Sequence, residues 1–222
     1  MHPELVYQRM LEKTNKNLNN GSIALDRARA VSIYREEEGK FIEYCLQKRN
    51  TFDIQDIQIL LTTEKLKLKE DTLNYSSFSL PNKDKFFAFS NVKIKASSGG
   101  CSDYLLPVGI KSENIEEVLF DVNNEPSFPY RETPYTIRDN SIVVFKKDFK
   151  VDNVDLIYYR YPKKFDLEGY IDEEDRQSFN SEPEFDDKIV NRIISMVATS
   201  FDINNENLNK VQVDVNRVIS KL

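Results

Sequence analysis

Histidine occurs once in 222 residues, at His2, and cysteine twice, at Cys45 and Cys101. One imidazole beside a chain end cannot build a histidine cluster, a Ser-His-Asp arrangement or a zinc site. The two thiols are far apart with no Cys-x-x-Cys spacing, which reads as two ordinary thiols in a reducing compartment rather than a disulfide framework. Six glycines and eight prolines are too few for a low-complexity chain, and no repeat of fixed period is present. Neither phosphate-binding fingerprint, Gly-x-x-x-x-Gly-Lys-Ser/Thr or Gly-x-Gly-x-x-Gly, occurs; Gly99-Gly100 lacks the flanking residues and reads as a loop. No apolar run approaches the roughly 18 residues a membrane span needs. The start, Met1-His2-Pro3-Glu4-Leu5, lacks the basic and apolar regions of a signal peptide. Carboxylates are plentiful, but glycosidase-type chemistry needs two held in a cleft at a defined separation, and no spacing here implies that. The expectation is a protein with no catalytic centre, no metal site, no cofactor and no membrane span.

What the chain has is apolar mass and a polar surface. Hydrophobic residues make up 40%, with 25 Phe plus Tyr, enough for a real core in one large domain or a domain with an appendage. Charged residues at 31% and 20 Asn make the exterior very polar. The acidity is local. Residues 166 to 187 hold ten carboxylates against Arg176 alone, a charge of −9 in a chain totalling −6, so the rest sums to +3. Such a segment is either a solvated loop extended by self-repulsion, or a surface that meets a basic partner or repels nucleic acid.

The hydrophobic period changes twice. Pro3 to Leu18 reads as a helix stopped by Asn19-Asn20-Gly21. Ser22 is a plausible N-cap for a second helix through Ile23, Leu25, Ala28 and Val31, with an Arg- and Glu-rich middle that makes one side wet and a bend at Gly39. A third helix or turn is expected near Asp53 to Leu61. Beyond Thr62 alternation takes over: Leu66 to Lys69, Leu73 to Tyr75, Phe86 to Phe89, Val92 to Ala96, Ile115 to Val122, Tyr135 to Arg138, Ile142 to Phe145 and Val154 to Tyr161. Ser97 to Gly100, Asp139-Asn140 and Asp152-Asn153 read as turns, too short for crossovers, so antiparallel pairing follows. Ser181-x-x-Glu184 is a capping box opening a helix through Phe185, Ile189, Ile193, Val197 and Phe201. A last helix carries a narrow stripe, Leu208, Val211, Val215, Val218 and Leu222.

The expected fold is α+β, with N- and C-terminal helices packed together and an inserted antiparallel sheet or small barrel. Its parts are a helical region at 1–62, a β region at 63–162, an acidic loop at 163–180 and a helical region at 181–222, the helical parts forming one domain. A stiff strand, a charged spacer and a docking helix suit assembly better than catalysis. Candidate interface residues are Tyr158 and Arg160, types favoured in protein contacts, the acids Asp172, Glu173, Glu174 and Asp175, and Leu208, Val211 and Val215 of the last stripe. Alternate aromatics on a strand also read simply as core. Lys65, Lys67 and Lys69, with Lys93, Lys95 and Phe86, Phe87 and Phe89, leave open a single-strand nucleic-acid surface or the wet face of a half-buried sheet.

The segment Ile137 to Phe201 carries a resemblance. Ser141-Ile142-Val143-Val144-Phe145, then Val154 to Pro162, an acidic spacer, and Glu182-Pro183-Glu184-Phe185-Asp186-Asp187-Lys188-Ile189-Val190 opening a helix, resembles the head-to-tail connector proteins of tailed bacteriophages. The likeness is greatest to the adaptor or ring proteins of short-tailed, crAss-like phages, whose AT-rich genomes suit the Lys- and Asn-rich composition. The resemblance implies a structural virion subunit, made in host cytoplasm and residing at the head-to-tail junction. It implies a homo-oligomeric ring of about twelve copies that binds below the portal protein. That ring extends the channel for DNA passing without sequence specificity and docks further tail ring proteins. The alternatives are another virion or tail assembly protein, and a nucleic-acid-binding accessory protein.

Overall fold

The computed structural model describes residues 1–17, 25–48, 53–111, 113, 115, 125–171 and 176–203. The chain divides into two compact units, residues 1–59 with 162–222, and residues 60–161. The first is helical and the second is a sheet, so the class is mixed, with strands in the middle of the chain and helices at both ends.

In the helical unit, α1 spans Pro3–Asn17 and α2 Arg27–Lys48, followed by the short α3, Asp53–Asp56; α4 spans Asp187–Ile203. Helix α1 starts at Pro3, where a missing N–H costs nothing. It buries Val6, Met10 and Thr14, successive turns of one face. Helix α2 is capped by Asp26, whose Oδ1 accepts from the Arg29 amide at 2.8 Å. The cap is therefore four residues past the expected one, Ser22 lies outside the described residues, and Leu25 precedes the helix. Helix α2 runs on through Gly39. Its buried face is Ala30, Val31, Tyr34, Glu37, Glu38, Phe41, Ile42 and Cys45, so Glu37 and Glu38 point inward while Ser32, Glu36 and Lys40 form the expected wet side.

Helix α4 starts six residues after Ser181. Asp186 caps it, its Oδ1 accepting from the Ile189 amide at 2.8 Å. The expected capping box does not form, because Ser181 exchanges both backbone hydrogen bonds with Asp166 and Glu184 accepts from the Lys163 amide. Both cap groups are committed to a return stretch of chain. Ile189, Val190, Ile193, Ile194, Val197 and Ala198 form the buried stripe of α4. Against α1, Arg9 donates to Asn191 Oδ1 at 2.8 Å and Lys13 to Ser195 Oγ at 2.7 Å.

The sheet unit has eight strands: β1 Leu61–Lys65, β2 Lys67–Asp71, β3 Tyr75–Ser79, β4 Phe86–Ser98, β5 Cys101–Gly109, β6 Glu132–Arg138, β7 Ser141–Phe145 and β8 Lys150–Arg160. Their spatial order is β1-β8-β4-β5-β6-β7-β3-β2. The two edge strands, β1 and β2, are consecutive and separated by Leu66 alone, so the sheet curls until its edges meet in one chain segment. Leu66 is buried at that corner and its amide donates to Val154 O. Register shifts along β4 against β8, at Phe86/Ala88, Phe89/Asn91 and Lys95/Ala96, bend the long ribbon. The curl encloses Leu66, Phe78, Val92, Ile94, Ala96, Leu105, Ile142, Val144, Val154, Leu156 and Tyr158.

Two turns form as expected from composition. Gly99 and Gly100 (φ 58° and 86°) join β4 to β5, and Asp139 and Asn140 (φ 50° and 57°) join β6 to β7, as two-residue hairpins of the doubly left-handed kind. Asp152-Asn153 is not a turn. Strand β8 runs straight through it, and the bend falls earlier, at Asp148 (φ 58°). Strand β5 crosses a segment for which no strand was expected. The pairing is not wholly antiparallel either: β5 and β6 are parallel, Leu106 facing Glu132. Parallel neighbours need a long connection, and the chain between Gly109 and Glu132 supplies it. The strand expected at Ile115 to Val122 lies, after its first residue, outside the described residues.

Candidate assembly surface

Strand β5 presents an unusual face to solvent. Leu105 points into the core, so Tyr104, Leu106 and Val108 point out, and they are 56%, 60% and 39% exposed. Alternation normally puts polar side chains at such positions. Beside this stripe a short loop is closed by two backbone hydrogen bonds between Ser127 and Glu132, at 2.9 and 3.0 Å. Phe128 tucks under the loop against Phe149, with ring centroids 6.3 Å apart. Its neighbour Tyr130 stands out at 83% exposure. The Arg131 carbonyl accepts from the Leu106 amide at 2.6 Å, tying the loop to β5. An ion pair between Arg131 and Asp103 at 3.0 Å adds a second tie.

A cavity of about 760 Å³ opens beside this loop, lined by Ser98, Glu125, Phe128, Tyr130, Glu132 and Asp148 among others. Lys147 also lines it but is engaged by Glu125 at 2.5 Å, which raises the lysine's pKa chiefly through that hydrogen bond. The Glu132 and Asp148 side chains accept no hydrogen bond and form no ion pair among the described residues. The cavity lining is therefore net negative, three carboxylates against Lys147.

The opposite side of the curl, counted along the strand order, is the β1–β2 corner. Every position of β2 is exposed, including Leu68 at 55%. Its acids have partners: Glu64 accepts from Tyr158 Oη, Glu70 from Tyr75 Oη, and Asp71 pairs with Lys146 at 2.5 Å, which holds the Asp71 carboxyl below its usual range. The Lys65 and Lys67 side chains form no ion pair among the described residues, and with Lys69 they stand against Glu64 and Glu70, whose carboxylates the neutral tyrosine hydroxyls leave charged, so this corner is close to balanced in charge. These lysines form a basic row in the sequence, whereas the acidic cavity exists only in the folded chain.

The interface residues expected from sequence fare unevenly. Tyr158 is 2% exposed, stacked on Phe86 with centroids 5.4 Å apart, its hydroxyl on Glu64. Its even-numbered register with Val154 and Leu156 places it in the core, so it cannot face a neighbour. Arg160 is part-exposed and donates to Tyr161 O. Asp172, Glu173, Glu174 and Asp175, and Leu208, Val211 and Val215, lie outside the described residues. The described parts of the acidic segment are not a free spacer. Phe165 and Leu167 are fully buried in the helical unit, and Arg35 holds Phe165 O at 2.9 Å and Asp166 at 3.3 Å. Strand β5 could have been read from Tyr104-Leu105-Leu106-Pro107-Val108, a short apolar run, but Pro107 and the unbroken run hid its alternation.

The helical unit also holds buried polar groups without partners. Glu38 is 3% exposed and its Oε1 is unbonded, as is the Tyr34 hydroxyl one turn earlier. Burial, then the facing carboxylate of Glu184, pushes the Glu38 carboxyl from 4.5 up to about 8, with Arg35 opposing. Burial likewise pushes the Tyr34 hydroxyl up. Among the described residues no group of three or more His, Cys, Asp or Glu side chains could hold a metal ion, and no helix is long and apolar enough to cross a membrane. No family model and no curated protein sequence matches this chain.

Proposed function

We propose that this protein is a structural subunit of a closed ring at the head-to-tail junction of a tailed phage particle, seated below the portal, extending the DNA channel and docking the next tail ring. The observation that carries an assembly role is the exposed apolar face of β5 with Tyr130 beside it. Contiguous apolar surface of this kind is rare on monomers and marks association. Tyr130 is a large aromatic held out by a closed loop, the type and setting of residue that dominates contact energies. The order strand, Pro162, acidic stretch, helix supports the connector reading in particular. Phe165 and Leu167 bury that stretch on the helical unit, so the helices at the two chain ends act as one body with the sheet inserted between them in sequence. A ring subunit needs two different surfaces, one for each neighbour, and the sheet unit offers one of them, an apolar, aromatic face beside a negative cavity.

The test is direct imaging of the purified full-length chain, alone and mixed with the portal protein. Closed rings of uniform copy number, bound coaxially to the portal, are expected. A chain that stays monomeric at high concentration and ignores the portal overturns the reading. Salt-sensitive capture of single-stranded DNA by the monomer would instead favour the nucleic-acid alternative.

A further inference from the structure

Resting on the ring reading, we infer that neighbouring copies are matched by charge: the acidic run Asp172-Glu173-Glu174-Asp175 of one copy docks on a basic, aromatic patch around Lys83, Lys85 and Tyr161 of the next. The patch is built from a turn and a strand end. The Lys85 amide donates to Asn82 O at 2.9 Å, closing a turn on which Lys83, Asp84 and Lys85 are exposed. Phe86, the first residue of β4, pairs with Arg160, the last of β8, and the Tyr161 amide then donates to Lys85 O at 3.2 Å. Tyr161 is 48% exposed, its ring edge-on to Phe87 with centroids 5.0 Å apart. Lys163 and Lys164 follow and are exposed; chain connectivity alone keeps them within about 12 Å of Tyr161. The side chains of Lys83, Lys85, Lys163 and Lys164 form no hydrogen bond or ion pair among the described residues. Asp84 accepts from the neutral Asn82 amide at 3.1 Å and stays charged. Adding Arg160, and counting against it Glu64, which like Arg160 acts on Tyr158, and Glu184, which accepts from the Lys163 amide, leaves five cations against three carboxylates.

The complement is on the same chain. Past Lys164 the chain doubles back as an arm. Asp166 and Ser181 exchange both backbone hydrogen bonds, the Ser178 amide donates to Tyr170 O and the Tyr170 amide to Ser178 Oγ, each at 3.0 Å, and Ile171 bridges to Gln177. Buried Phe165 and Leu167 fix the base of the arm. Asp172 to Asp175 follow the last of these pairs in sequence, four carboxylates in succession, and a basic partner relieves the repulsion among them. Ile171 and Phe179 of the arm are 70% and 74% exposed, large apolar groups that the Tyr161 and Phe87 rings would cover. Lys163 and Lys164 precede the base, whereas Ile171 and Gln177 form its last pair, so the arm leads away from the lysines of its own chain. Lysines beside aromatics also suit a nucleic-acid strand; the four acids flanked by exposed apolar side chains on the same molecule are what select a second copy. Patch and arm are different surfaces, and two that match each other propagate head to tail around a ring. Charge complementarity of this kind sets register and suppresses wrong partners more than it adds raw affinity. A stable contact buries about 800 Å² on each partner, so this pairing is the part of the contact that chooses the partner and not its whole extent.

Charge reversal tests the pairing in the full-length chain. The patch variant carries Lys83→Glu with Lys85→Glu and the arm variant Glu173→Lys with Glu174→Lys; unchanged circular dichroism and urea midpoints show that each folds. Each alone is expected to weaken self-association about tenfold or more, because like charges then face each other. Mixing the two should restore it: the altered arm of one fits the altered patch of the other, and the native arm of the second fits the native patch of the first. Carbodiimide cross-linking of mixed heavy- and light-nitrogen wild-type chains should join a patch lysine to a carboxylate of residues 172–175 in pairs of mixed isotope. Wild-type rings together with undiminished assembly of both variants, loss without rescue on mixing, or cross-links found only within one chain overturn this docking and leave the ring reading standing. A patch variant that assembles normally but no longer captures single-stranded DNA, where wild type does, overturns it in favour of a nucleic-acid surface. A wild-type chain that forms no ring overturns the ring reading first, and the docking with it.

Discussion

Replacing Glu38 by Gln should flatten the pH dependence of folding stability. Glu38 sits on α2 with 3% exposure, an unbonded Oε1, the unbonded Tyr34 hydroxyl one turn before it and Glu184 facing it from the stretch that leads into α4. Arg35, the nearest cation, is committed to Phe165 O and Asp166. Burial and Glu184 together lift the folded-state pKa from 4.5 to about 8. The folded chain then holds a proton that the unfolded chain releases near its ordinary value. Stability from this group is full below about pH 4.5 and is lost as pH rises through about 8. The slope within that window approaches about 1.4 kcal/mol per pH unit, and the loss between about pH 5 and pH 8 comes to about 3 kcal/mol. Urea unfolding followed by circular dichroism, at intervals from about pH 5 to pH 9, measures it in wild type and Glu38→Gln. The amide keeps the size and a donor but carries no proton equilibrium. The variant should match wild type near pH 5 and exceed it by about 3 kcal/mol near pH 8. A difference between the two chains that does not change with pH refutes the reasoning.

Two further substitutions probe the supports of each unit. Phe165 is fully buried with its ring 4.5 Å from that of Tyr34, so Phe165→Ala should cost about 3–5 kcal/mol. Protease cleavage between residues 162 and 171 should rise with it, and unchanged cleavage would show that Phe165 does not anchor the stretch. Asn140 holds φ 57° at the second position of the β6–β7 hairpin. Asn140→Ala should cost about 1–2 kcal/mol and Asn140→Gly should cost nothing or stabilise, read as shifts in urea midpoint.

Much of the fold was legible in local pattern. The buried stripes of α1, α2 and α4 follow from three- and four-residue spacing, and the hairpins at Gly99-Gly100 and Asp139-Asn140 from residues that tolerate a left-handed backbone. These signals are local because a helix face and a two-residue turn are decided within a few residues of chain. Where local signals misled, a distant partner had intervened. Ser181 and Glu184 have the spacing of a capping box, yet Asp166 and Lys163 claim their groups, and Asp186 caps α4 instead. Glu37 and Glu38 look like solvated charges in the sequence, but they fall on the buried face of α2, and burial with Glu184 raises the pKa of Glu38. Tyr158 looks like an interface aromatic until register with β1 and β4 puts it inside the curl. The parallel β5–β6 pair, the meeting of β1 and β2 at Leu66 and the exposure of Tyr104, Leu106 and Tyr130 depend on which strands lie side by side. Helix faces and tight turns follow from residues close together in the chain. Strand order, and with it the exposure of one apolar face of β5, arises only on folding, because pairing between remote strands is a long-range choice that no window of neighbouring residues encodes.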